Sequence, residues 1–178
     1  MMRKKIVFVC ILSGLIFICG CGKLHKADTR MGEENYNEAI ELYKEHLAEH
    51  PDSLQVRTRL GYAYFRSGLN DEAIAEFKKV LESVPGEPDA VLYMGLAYLH
   101  KGDIDKGISV LENYQNKEYP KVEEEVLYQV YIMKDAENKQ TLKSSEIADS
   151  IESAADKIMS SQKSEKRKQP WKKGCNCN

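Results

Sequence analysis

A chain of 178 residues with 42% apolar and 30% charged side chains has room for one modest folded domain with tails. Its net charge of -2 averages three unlike regions: a cationic start, a body from Cys21 to Gln162 with 17 basic and 27 acidic residues, and a tail from Lys163 to Lys173 with six basic residues and one acid. The acidic body argues against a nucleic-acid partner, because phosphate binding depends on clustered Lys and Arg.

Arg3-Lys4-Lys5 form a positive start, and Ile6 to Cys19 is an apolar run of fourteen residues broken only by Ser13 and Gly14. That run is too short for a bilayer span, which needs about 20 residues, and suits the apolar region of a secretory signal. Ile18-Cys19-Gly20-Cys21 follows directly. It resembles the bacterial lipobox, in which an aliphatic and small residues precede the cysteine that receives diacylglycerol. The resemblance implies a signal peptide over residues 1–20, two or three palmitate-type acyl chains on Cys21, and a mature protein anchored outside the cytoplasmic membrane. Gly22 lacks the aspartate associated with inner-membrane retention, which favours the outer membrane of a two-membrane cell. Residues 21–33 then read as a lipidated tether.

The centre repeats itself. Leu60-Gly61-Tyr62-Ala63-Tyr64 recurs 34 residues later as Met94-Gly95-Leu96-Ala97-Tyr98, and Gly68 recurs as Gly102. Ala39, Ala73 and Gly107 stand in step, as do Tyr43, Phe77 and Leu111, and Pro51 and Pro85. A 34-residue period with these residue types resembles the tetratricopeptide repeat, a pair of antiparallel helices. The small residues let paired helices approach, Gly68 and Gly102 suit left-handed helix ends, Asn70 and Asp103 supply the next N-caps, and the prolines end each second helix. Arg57 stands where the family favours a large apolar residue and Tyr114 where it favours alanine, so the second full repeat is expected to pack less regularly than the first. The reading is an all-α, short helical solenoid over residues 34–120, with a half repeat from Tyr36 to His50 and two full repeats.

About three repeats are normally needed for a stable stack, so something must cap this one. Val122, Val126, Leu127, Val130 and Met133 follow helical spacing, as do Ile147, Ile151, Ala154, Ala155 and Ile158. Residues 121–160 are therefore expected to hold C-terminal capping helices. Residues 161–178 carry strong charge without periodicity and are expected to be a disordered basic tail.

No catalytic constellation, phosphate loop or cofactor motif stands out, and the chain is not expected to be an enzyme. His46-Leu47-Ala48-Glu49-His50 matches the His-x-x-Glu-His spacing of inverted zinc proteases, but no third ligand can be nominated, which assigns these histidines to the fold. Cys175 and Cys177 are weak metal or disulfide candidates, since two thiols fall short of the four ligands of a structural zinc site.

By phase, the family resemblance implies a partner-binding groove from Gln55, Thr58, Tyr62, Phe65 and Arg66 in the first full repeat, and Asp89, Leu92, Leu96, Leu99 and His100 in the second. Such a face suits an amphipathic helix or an extended apolar peptide. The alternative is that the chain's own Ser144 to Ser160 helix covers it. Two functions follow from the sequence: a membrane-anchored adaptor for a protein partner in envelope assembly, pilus biogenesis or secretion, and a thiol- or metal-handling protein working through Cys175 and Cys177.

Overall fold

A computed structural model describes residues 22–135 and 143–168, with side chains through residue 164, and the chain divides after Pro85 into two compact units. Its regular structure is α-helix throughout the described residues, none of it long and apolar enough to cross a membrane.

The first unit holds α1 (22–32), α2 (Tyr36–Glu49), α3 (Leu54–Arg66) and α4 (Asn70–Ser83). The expected tether is thus a helix for most of its length. Ala27 is fully buried in one core with Ala39, Ile40, Tyr43, Val56, Leu60 and Ala63, flanked by Leu24 and Met31. Ion pairs fix the direction of α1 against α2: Lys23 reaches Glu49 at 2.8 Å, while Arg30 and Lys26 reach Glu38 at 2.8 and 2.9 Å. The buried Tyr43 hydroxyl donates to Asp28 at 2.7 Å, and Arg59 from α3 grips the same carboxylate. Burial and then the Asp28 carboxylate push the Tyr43 hydroxyl well above its ordinary range. The half repeat is therefore a complete helix pair.

The same turn ends each of the first helices of the three pairs. Glu34, Gly68 and Gly102 all have positive φ, 59°, 79° and 81°, at 34-residue intervals. The next residues, Asn35, Leu69 and Asp103, occupy the N-cap positions, so Leu69 and not Asn70 precedes α4. Within the second pair, Gly61 admits Phe77: a Cβ there would lie 2.7 Å from the ring. Arg57, standing in an apolar position, is accommodated by Glu76 at 2.7 Å and the Pro51 carbonyl at 2.8 Å.

The second unit holds α5 (Pro88–His100), α6 (Ile104–Leu111), α7 (Pro120–Lys134) and α8 (Ser144–Lys168). Every residue of α5 from Ala90 to Leu99 is buried, which requires cover on more than one side. One cover is α6, where Gly95 receives Leu111 and Gly107 receives Leu99. The other is α8, which packs on α5 and α7 through its buried Ile147, Ala148, Ile151 and Ala155. α8 runs antiparallel to α5, since Asp149 stands 3.6 Å from His100 at the end of α5 while Met159 lines a recess at its start.

α6 is a short helix of eight residues against fourteen in α4, in line with the less regular second repeat. Tyr114 lies past its end, buried, in a loop organised by the buried Asn116. That side chain donates to the Tyr114 hydroxyl at 2.9 Å and accepts from the Glu118 and Tyr119 amides. Residues 161–168, expected as disordered tail, continue α8. Their Glu, Lys, Arg and Gln are good helix formers that leave no apolar stripe to read.

Candidate functional site

α3 presents the first half of the expected groove. Gln55 and Arg66 are exposed, Thr58 and Tyr62 half-buried, and Phe65 is buried at 6% exposure. Phe65 therefore belongs to the packing and not to an open surface. Thr58 hydrogen-bonds its own helix, donating to the Leu54 carbonyl at 3.1 Å. The Arg66 guanidinium lies over the Tyr36 ring at 5.4 Å and the Tyr62 ring at 5.8 Å, and donates to the Tyr62 hydroxyl at 2.9 Å. Cation–π contacts on two rings hold a long side chain that would otherwise sample many rotamers. Tyr36, the first residue of α2, was absent from the expected groove. It reaches the site because α2 and α3 pack antiparallel through the turn after Glu49, which sets the start of α2 beside the end of α3.

The second half, on α5, is different. Leu92, Leu96 and Leu99 are 2%, 0% and 0% exposed, so the apolar face proposed for a partner is closed. Leu99 is turned toward α6, where a Cβ on Gly107 would lie 2.6 Å from it. His100 is half-buried beside Asp149 of α8. Asp89 remains exposed at the start of α5, on a recess of about 730 Å³ lined also by Glu87, Asn116, Glu118 and Tyr119. Glu87 accepts from the Ala90 amide at 2.6 Å, and burial holds its carboxyl above the usual range. The protein walls of the recess, and then the Glu118 charge, raise the Asp89 carboxyl above its ordinary range too. In the same unit Leu127, expected in the buried stripe of α7, is exposed together with Tyr128 and Tyr131.

Among the described residues no group of three or more His, Cys, Asp and Glu could hold a metal ion. His46 and His50 have ring centroids 4.8 Å apart, and His46 Nδ1 is buried without a hydrogen-bond partner. Burial, followed by the charge of His50, draws the His46 imidazole below its ordinary value. That setting favours a neutral His46 ring in the fold. The signal segment, Cys21, Cys175 and Cys177 lie outside the described residues.

Two family models, both described as tetratricopeptide repeat, match residues 30–84 and 58–122. Tetratricopeptide repeat protein 21A of Mus musculus is 35% identical over 88 residues, which make up 48% of this chain and 7% of the mouse protein. The match thus spans a small fraction of that relative's length.

Proposed function

Residues 30–122 place this chain in the tetratricopeptide-repeat family, and from that premise we propose that it is a lipid-anchored, extracytoplasmic adaptor that holds a protein or peptide partner and catalyses no reaction. The observation that carries the reading is the exposed Arg66 held between Tyr36 and Tyr62. Tyrosine and arginine are the residue types on which interface energy concentrates, and a fixed arginine loses less freedom when a partner arrives. The lipobox-like Ile18-Cys19-Gly20-Cys21 supports the anchor at Cys21, and with it a site in the cell envelope, where assembly, pilus biogenesis and secretion offer partners.

The test takes both parts together in the full chain. Truncating one buried interface anchor commonly costs about 2 kcal/mol, roughly thirtyfold in affinity, so Tyr62→Ala with Arg66→Ala should abolish capture of a micromolar partner from cross-linked envelopes. Helix content should be unchanged. Cys21→Ala should leave an unprocessed precursor. Retention of every partner by the double variant would move the binding surface elsewhere, and normal processing of Cys21→Ala would remove the anchor.

A further inference from the structure

Residues 21–33 were expected to be a short tether from the lipid to the fold, and a flexible tether of that length would give an end-to-end distance of roughly 20 Å. The chain has no such slack. α1 is helical from residue 22, the residue after Cys21, so the anchor and the fold are separated by one Cα step of about 4 Å. Nor is α1 an arm that can be peeled away cheaply. Ala27 is fully buried, Leu24 and Met31 pack on the same core, and Asp28 holds both Tyr43 and Arg59.

The contacts within the first unit also fix which of its ends lies nearest the anchor. Lys23, at the start of α1, pairs with Glu49 at the end of α2, and the α2–α3 turn follows at once, with the Arg57 side chain donating to Pro51 within it. At the other end Arg30 pairs with Glu38, and Arg66 lies over Tyr36. Residue 22, Glu49 and Asp52 therefore share one end, while residue 32, Tyr36 and Arg66 share the other. α2 has fourteen residues, so the two ends are about 20 Å apart.

We infer that the first unit is docked directly on the lipid surface by its α1 start and α2–α3 turn, holding Tyr36, Tyr62 and Arg66 about 20 Å out toward the aqueous side. The inference rests on the lipid at Cys21. The occupant of the near end is the membrane, and the missing tether, not charge, brings it there: Lys23 already faces Glu45 and Glu49. A partner reaching Arg66 would come from the aqueous compartment and need not enter the headgroup layer.

The experiment uses the full chain, produced in lipidating cells and returned to vesicles of phosphatidylethanolamine and phosphatidylglycerol. Cys175→Ser and Cys177→Ser remove the tail thiols, and a single dye is attached at Asp52→Cys or at Asn37→Cys, both exposed positions. Energy transfer to a headgroup-labelled lipid should place the residue 52 dye nearer the lipid plane by about 15–20 Å. A ten-residue Gly-Ser spacer inserted between Cys21 and Gly22 should erase most of that difference while leaving the circular dichroism unchanged. Equal distances for the two dyes in lipidated protein, or a difference that survives the spacer, would overturn the docking. Mass spectrometry of the same sample separates the two levels: a Cys21 without lipid sinks the anchor reading itself, whereas lipidated protein with equidistant dyes sinks only the orientation.

Discussion

α3 and α5 occupy the same position in successive repeats, yet their fates differ. α3 carries Gln55, Thr58, Arg59 and Arg66 among its apolar residues, and keeps Tyr62 half-buried and Arg66 exposed. α5 is apolar from Ala90 to Leu99 without a break, and all ten residues are buried. A repeat fixes which positions can face a partner, while the residues at those positions decide whether they do. When both the packing stripe and the partner stripe are apolar, the chain's own α8 becomes the occupant, because the large apolar side chains of α5, at roughly 1.5–3 kcal/mol each, are too much to leave wet.

The largest effect should come from breaking that cover. Ile151 of α8 is fully buried, and Ile151→Asp would place a carboxylate in an apolar contact with no partner prepared for it. Burying an uncompensated charge costs about 3–5 kcal/mol, enough to unfold a marginal unit. Hydrogen exchange should show loss of protection across α5 to α8, with α1 to α4 retaining theirs. Leu127→Asp on the exposed side of α7 should change stability by no more than about 0.5 kcal/mol. Full protection of α5 in Ile151→Asp would mean that α8 is not what closes that face.

The contrast also explains what the sequence disclosed. The 34-residue period, the glycine turns and the helix pairs were legible because each rests on a residue type with one physical use. The first pair was missed because it spells the same positions differently. Ala27 stands 34 residues before Gly61 and Glu34 stands 34 before Gly68, so a search for glycine passed over both. Phase alone would have found them, and would have put the N-cap at Leu69, midway between Asn35 and Asp103. The closure of α5 was half legible: the apolar stripe of Ser144 to Ser160 stood as the alternative occupant, while the family resemblance favoured an open groove over the self-cover that α8 supplies. The Tyr36–Arg66 contact was not legible, since the groove was taken from the first helix of each pair alone, whereas Tyr36 opens a second helix, just past the unrecognised Glu34 turn.

That turn allows a sharper comparison of intermediate size. Glu34 adopts φ 59°, where an L side chain is strained, while Gly68 and Gly102 adopt the same region freely. Glu34→Gly should therefore stabilise the first unit, by up to about 1 kcal/mol after the glycine's greater unfolded-state entropy is set against the relief. Gly68→Ala should do the reverse by about 1 kcal/mol, although nothing lies within 4 Å of the added carbon. Urea melts of the two variants should move in opposite directions, and a loss of stability in Glu34→Gly would show that its side chain contributes more than its backbone costs.

The smallest expected effect separates structural from chemical histidines. His46 sits where its imidazole is pulled below the ordinary 6.5, first by burial and next by His50. A depressed histidine binds its proton less readily folded than unfolded, so the unfolded chain takes up more protons as the medium acidifies. The stability of the first unit should be complete above pH 6.5 and decline below it. His46→Gln, which cannot titrate, should flatten that decline while costing some packing at every pH. His50→Gln removes the second cause alone and should leave a shallower slope than the wild type. Denaturant midpoints for the three proteins between neutral and mildly acidic pH provide the measurement. If His46→Gln leaves the slope intact, the acid sensitivity belongs to other groups. If stability of the wild type instead rises on acidification, the pair gains from protonation and His46 and His50 have a partner that these contacts do not contain.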